Sequence, residues 1–237
     1  MLSKKNILIF LVIVLLLVVS GVYYRSKQKG ISIAELMNPK IEESVNWDNP
    51  DEVFNIKAPD DFDAAHLERL EEKITSAKDL YEKQKNDTWT WIVIGNMYEF
   101  AHDYDRAIGA YKKVTALNES EYISRMNLAY IYENQKKDFT LAEQYYKKVL
   151  DLTAGNPTSY INLARLYEFK LERVTDAEKV YLDGLTAVGD NPDLIVALIR
   201  FYQRQNMNDK AVEQAKKLLA LYPDNEAYQN DFGELVK

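Results

Sequence analysis

The ten residues WIVIGNMYEF, Trp91 to Phe100, decide how this chain is read. Alone, the stretch fits a buried strand, the lining of an apolar pocket, or one copy of something repeated, because a short apolar run does not separate strand from helix. The surrounding sequence resolves the choice. Tyr98, Tyr132, Tyr167 and Tyr202 follow one another at 34, 35 and 35 residues, and Ala107, Ala142, Ala177 and Ala211 at 35, 35 and 34. Four residues beyond each alanine stand Tyr111, Tyr146, Tyr181 and, in the last copy, Ala215. Three series that keep one period define a repeated supersecondary unit.

Each copy reads as two helices. Trp91, Ile94 and Tyr98, or Tyr160, Leu163 and Tyr167, form one apolar stripe; Ala107, Tyr111 and Val114 form the next. The spacing of three and four is the helical one. A small residue, Gly95, Ala129 or Ala164, stands three before the tyrosine and lets two helices approach closely. The fold class is therefore all-α.

The pattern Trp91, Ile94, Gly95, Tyr98, then Ala107 and Tyr111, resembles the tetratricopeptide repeat, W-x2-L-G-x2-Y followed by A-x3-F and a closing proline. The resemblance implies an α-solenoid, a right-handed superhelix of antiparallel helix pairs. Its copies are drawn at about residues 88–121, 122–156, 157–191 and 192–225, with Pro223 closing the last. Arg125, Tyr160 and Ile195 replace the first-position tryptophan, Ile199 replaces the glycine in the last copy, and the middle two copies carry one extra residue between their helices. Tyr228, Phe232, Gly233 and Val236 predict a capping helix over 225–236. At the other end, Leu67, Leu70, Ile74, Ala77 and Tyr81 predict a long amphipathic helix over 62–85, which begins after Asp60, Asp61 and Asp63 and packs on the first copy through Ala77 and Leu80.

Residues 30–60, with Pro39, Pro50 and Pro59 and no sustained period, read as a linker or loose lead-in to the domain at 61–237. Within them, VNWDNPDEVF, residues 45–54, carries Val45, Trp47, Val53 and Phe54 and is a candidate to lie against the array, even in its groove as a strand. Residues 7–24 hold no charge, and eighteen residues at about 1.5 Å each span roughly 27 Å, near the thickness of a bilayer's hydrocarbon core. We read residues 1–29 as a single-pass transmembrane anchor between Lys4 and Lys5 and the cluster Arg25, Lys27 and Lys29. The alternative is a cleaved secretory signal ending near Val19 and Gly21. The nearly balanced flanks leave orientation open; the absence of cysteine fits an extracytoplasmic domain.

The first 29 residues hold five of the 30 basic residues and none of the 37 acidic ones. The remainder is thus acidic by 37 to 25, which argues against nucleic acid and against an anionic membrane surface as partners. No catalytic, cofactor or metal site is expected. There is no cysteine, the only histidines are His66 and His102, and the eight glycines form no phosphate loop. Asp103 and Asp105 in HDYDRA read as a turn and helix amino cap, since a calcium loop needs a third ligand and a glycine at fixed offsets. Asn86-Asp87-Thr88 and Asn118-Glu119-Ser120 match the glycosylation pattern, which has meaning only in a secreted glycoprotein.

The resemblance implies instead a concave groove lined by the first helices, holding an extended peptide or a partner helix. Its lining here would be Trp89, Ile92, Asn96, Glu99 and Phe100; then Ile123, Met126, Tyr130 and Glu133; then Ile161, Arg165, Glu168 and Phe169; then Val196, Arg200, Gln203 and Arg204. Arg165, Arg200 and Arg204 either meet an acidic end of the ligand or pair with neighbouring glutamates. Some relatives clamp a terminal carboxylate with two asparagines and basic residues; Asn96 and Asn127 occupy the asparagine places, but Ile92, Thr158 and Asn162 stand where the basic residues belong. The expected function is a non-enzymatic, membrane-anchored scaffold that binds a protein partner, with a chaperone-like holdase for secreted or envelope clients as the alternative.

Overall fold

The computed structural model describes residues 45–237. The apolar run 7–24, and with it the expected transmembrane anchor, lies outside the described residues. Among the described residues no helix is long and apolar enough to cross a membrane, and all regular structure is helical. The helices are α1 Pro50–Val53, α2 Ala64–Gln84, α3 Thr88–Phe100, α4 Tyr104–Leu117, α5 Ile123–Ile131, α6 Phe139–Leu152, α7 Pro157–Phe169, α8 Val174–Val188, α9 Pro192–Arg204, α10 Asn208–Leu221 and α11 Glu226–Phe232. A π-helical turn, Tyr132–Lys136, extends α5, and a 3-10 turn, Glu234–Val236, follows α11.

Local chemistry sets these boundaries. Asp63, Asp138, Asn156, Asn191 and Asn225 cap α2, α6, α7, α9 and α11, each side chain accepting a hydrogen bond from a backbone N–H two or three residues on. Pro157 and Pro192 fill first-turn positions, where a missing N–H costs nothing. Asp103 caps α4, accepting from the Arg106 N–H. Each helix pair closes through a left-handed residue, His102, Lys137, Glu172 and Asn206, all with φ between 54° and 58°. The extra residue of the two middle copies is visible in the closing bonds. Asp103 N–H reaches back to Tyr98 and Met207 to Tyr202, whereas Asp138 reaches to Tyr132 and Arg173 to Tyr167 across one more residue. In the second copy that residue is absorbed as the π-turn.

The described residues form two compact units. One comprises the residues up to Lys85 together with Val93–Gly109; the other comprises Asn86–Ile92 and Ala110–Lys237. In the first, residues 45–57 are packed rather than loose. Val53 is fully buried, the Phe54 ring meets Tyr81 edge-on at 5.6 Å, and the Trp47 ring meets Tyr98 at 6.2 Å. The Tyr98 hydroxyl donates to the Val53 carbonyl at 2.6 Å, Tyr81 to the Trp47 carbonyl at 2.9 Å, and Arg106 to the Asn55 carbonyl at 2.8 Å. The segment forms a one-turn helix capped by Asn49, so it lies there as a turn and not as a strand.

In the second unit α5 packs with α6, α7 with α8, and α9 with α10, while α6 meets α7 and α8 meets α9. Ala142, Ala177 and Ala211 are fully buried, as the repeat's close helix approach requires. Gly184 shows how close: a Cβ there would stand 2.8 Å from both Tyr160 Cγ and Leu194 Cδ2. At the carboxyl end Phe232 of α11 is fully buried with Ile195, Ile199, Ala215 and Leu218.

Candidate interaction cleft

Within the second unit the carboxyl end of α5, its π-turn, α6 and α7 enclose an open cleft of about 600 Å³ lined by nine residues. Met126 and Tyr130 stand one turn apart on α5, and Asn162, Arg165 and Phe169 recur at three and four on α7, so each set faces one way. Met126 and Asn162 bring the two helices together, the Asn162 amide meeting the Met126 sulfur at 3.4 Å. The π-turn brings in Glu133 and Asn134. Asn134 donates to the Tyr130 carbonyl at 3.1 Å, and Glu133 accepts from the Tyr146 hydroxyl at 2.8 Å. Burial, and then the negative Glu133 beside it, hold the Tyr146 phenol above its ordinary pKa, so it remains a donor.

Two aromatic rings stay open to solvent here: Tyr130 is 49% exposed and Phe169 48%. Phe169 is held in place by cations, with the Arg204 guanidinium 5.0 Å and the Arg165 guanidinium 5.9 Å from its ring centre. Arg204 is in turn fixed by a two-point ion pair, both nitrogens 2.7 Å from the buried Glu168 carboxylate. Tyr181 lies beneath, its phenol pushed up to about 12 by burial and then by Glu168.

The other expected groove residues are placed differently. Ile92 is 5% exposed and belongs to the core, because its side of α3 is covered. Phe100 is covered within the first unit: Phe62 meets its ring at 5.4 Å, and Lys73 and Arg69 lie over it at 5.2 and 5.6 Å. Asn96 is exposed, Glu99 half-buried. Trp89, 54% exposed, and Ile123, 42% exposed, are on the surface but do not line the cleft. Glu168 is buried by its pairing with Arg204. Arg200 binds Asp231 at 2.7 Å and lies 4.7 Å over Phe232. Of the three arginines, therefore, only Arg165 is without an acidic partner among the described residues. Asn134, Tyr146, Asn162 and Lys170 join the cleft unannounced by the groove pattern; the extra residue of the second copy was the signal for Asn134.

Among the described residues no cluster of His, Asp or Glu could hold a metal. His66 and His102 both face the Phe62 ring, at 5.3 and 5.5 Å, and His66 bonds the Asp63 carboxylate at 2.7 Å.

With helix pairs, left-handed closures and buried alanines repeating together, residues 94–157 match the tetratricopeptide repeat family. That stretch carries the tetratricopeptide repeat. No curated protein sequence matches it. Its fold is similar to MamA of Desulfovibrio magneticus RS-1, at 17% identity and a TM-score of 0.52 over 68% of this chain and 88% of that one. It is similar also to a thermophilic tetratricopeptide protein of Thermus thermophilus, at 16% identity and 0.51 over 73% and 93%. These likenesses establish the tetratricopeptide fold.

Proposed function

We propose that this tetratricopeptide protein is a membrane-tethered interaction module that holds a segment of a partner protein in the cleft between α5, α6 and α7. The observation that carries the reading is the pair of exposed rings, Tyr130 and Phe169, presented on helices beside the paired Tyr146 and Glu133 and the paired Arg204 and Glu168. Preordered aromatic anchors of this kind are what protein interfaces use as their central contacts, because little side-chain freedom is lost on binding. The uncharged run 7–24 supports the tether, which would confine the cleft near a bilayer and raise its effective concentration for membrane partners.

Photo-crosslinkers placed singly at Tyr130, Phe169 and the exposed α8 residue Leu182 test this in cells. One dominant product from Tyr130 and Phe169, absent from Leu182, is expected; equal labelling from all three overturns the reading. A broad smear from Tyr130 and Phe169 would instead mark a holdase for many clients. Recovery of the full chain in the soluble fraction after lysis would remove the tether.

A further inference from the structure

The geometry points to a ligand segment that carries an acidic side chain two residues from an aromatic or aliphatic one, with Arg165 receiving the acid. The inference rests on the reading of the α5–α7 cleft as the binding site.

Three charged residues line that cleft: Glu133, Arg165 and Lys170. Glu133 already accepts the Tyr146 hydroxyl. Neither Arg165 nor Lys170 has an ion-pair partner among the described residues, and the neighbouring Arg204 is neutralised by Glu168. The open cleft thus presents an unspent positive charge on a chain whose formal net charge is −7. Such a cation inside an acidic protein disfavours basic segments and favours a carboxylate, which a guanidinium can hold by two parallel hydrogen bonds. Arg165 lies 5.9 Å from the centre of the Phe169 ring. In an extended chain, residues two apart point the same way about 6.6 Å from each other, so an acid on Arg165 puts the next same-side residue against Phe169 and Tyr130. This place differs from the terminal-carboxylate clamp considered above: Arg165 stands one turn beyond Asn162, on the third copy's first helix.

A phage-displayed library of random 12-residue peptides, selected on the full chain in detergent micelles, tests the assignment, with each winner also crosslinked to a photo-reactive residue at Tyr130. Asp or Glu enriched two positions from Phe, Tyr, Leu or Ile is the expected outcome. Arg165→Glu should then weaken the leading peptide about tenfold or more, the worth of one charge-assisted pair, while a peptide with its acid changed to Lys regains binding to that variant. Because Arg165 is exposed and makes no ion pair, the variant keeps its fold, which unchanged thermal unfolding checks. Winners that crosslink at Tyr130 but lack acid enrichment, or ignore Arg165→Glu, overturn the acidic ligand and leave the cleft standing. Winners that never crosslink at Tyr130 overturn both.

Discussion

Tyr98 sits completely buried with its hydroxyl on the Val53 carbonyl. Burial pushes its pKa up to about 12. A phenol whose folded value exceeds the free one of about 10 lends stability that is whole below pH 10 and lost as pH rises through 12. Tyr98→Phe should therefore flatten alkaline unfolding in that window, and at neutral pH it should cost about 1–3 kcal/mol by leaving a buried carbonyl unpaired, both read by urea titration. Equivalent tyrosines further along use carboxylates: Tyr167 donates to Glu143 and Tyr202 to Glu178, both at 2.9 Å. Burial alone would raise the Glu143 pKa, but hydrogen bonds from Lys147 and Tyr167 and the charge of Arg173 outweigh it and hold it below the ordinary range. A depressed carboxylate contributes stability that is whole above its unfolded pKa and fades as pH falls through the folded one. Glu143→Gln should lower stability at neutral pH and narrow the difference from the unmodified chain as the solution is acidified below pH 4.

At the scale of an element, residues 45–57 take the place that a preceding copy's second helix would occupy for Tyr98, offering a backbone carbonyl where Glu143 and Glu178 serve Tyr167 and Tyr202. Gly109 makes room for them. A Cβ there would overlap Trp47 Cζ2 and stand 3.1 Å from Cη2, so no larger residue fits while the indole stays. Gly109→Ala should expel the Trp47 ring at a cost of about 1–3 kcal/mol, seen as a red-shifted tryptophan emission and faster hydrogen exchange across Val53 and Phe54. The π-turn Tyr132–Lys136 shows a second way an element answers one inserted residue, turning Glu133 and Asn134 into the cleft instead of looping out.

For the whole molecule, stability in a repeat array is a sum of neighbouring contacts, and its ends need polar outer faces. Phe232 of α11 covers Ile195 and Ile199 of α9 and Leu218 of α10. Phe232→Ala should cost about 3–5 kcal/mol, and removal of residues 225–237 should expose that cluster and drive association visible by light scattering. The sequence by itself determined the helix pairs, because tyrosines and alanines spaced 34 and 35 apart can share one environment only in a stacked helical repeat. Its resemblance to the tetratricopeptide repeat also implied Met126, Tyr130, Arg165 and Phe169 as groove positions. Which of the arginines is available was not legible. Arg204 finds Glu168 36 residues away and Arg200 finds Asp231 31 away, and no local pattern encodes such distant pairings. The same holds for Phe100, covered by Phe62, and for WIVIGNMYEF itself, where tertiary packing sends Ile92 to the core. Periodicity reports which face of a helix is apolar; only the neighbours that fold against the other face decide what that face is left to bind.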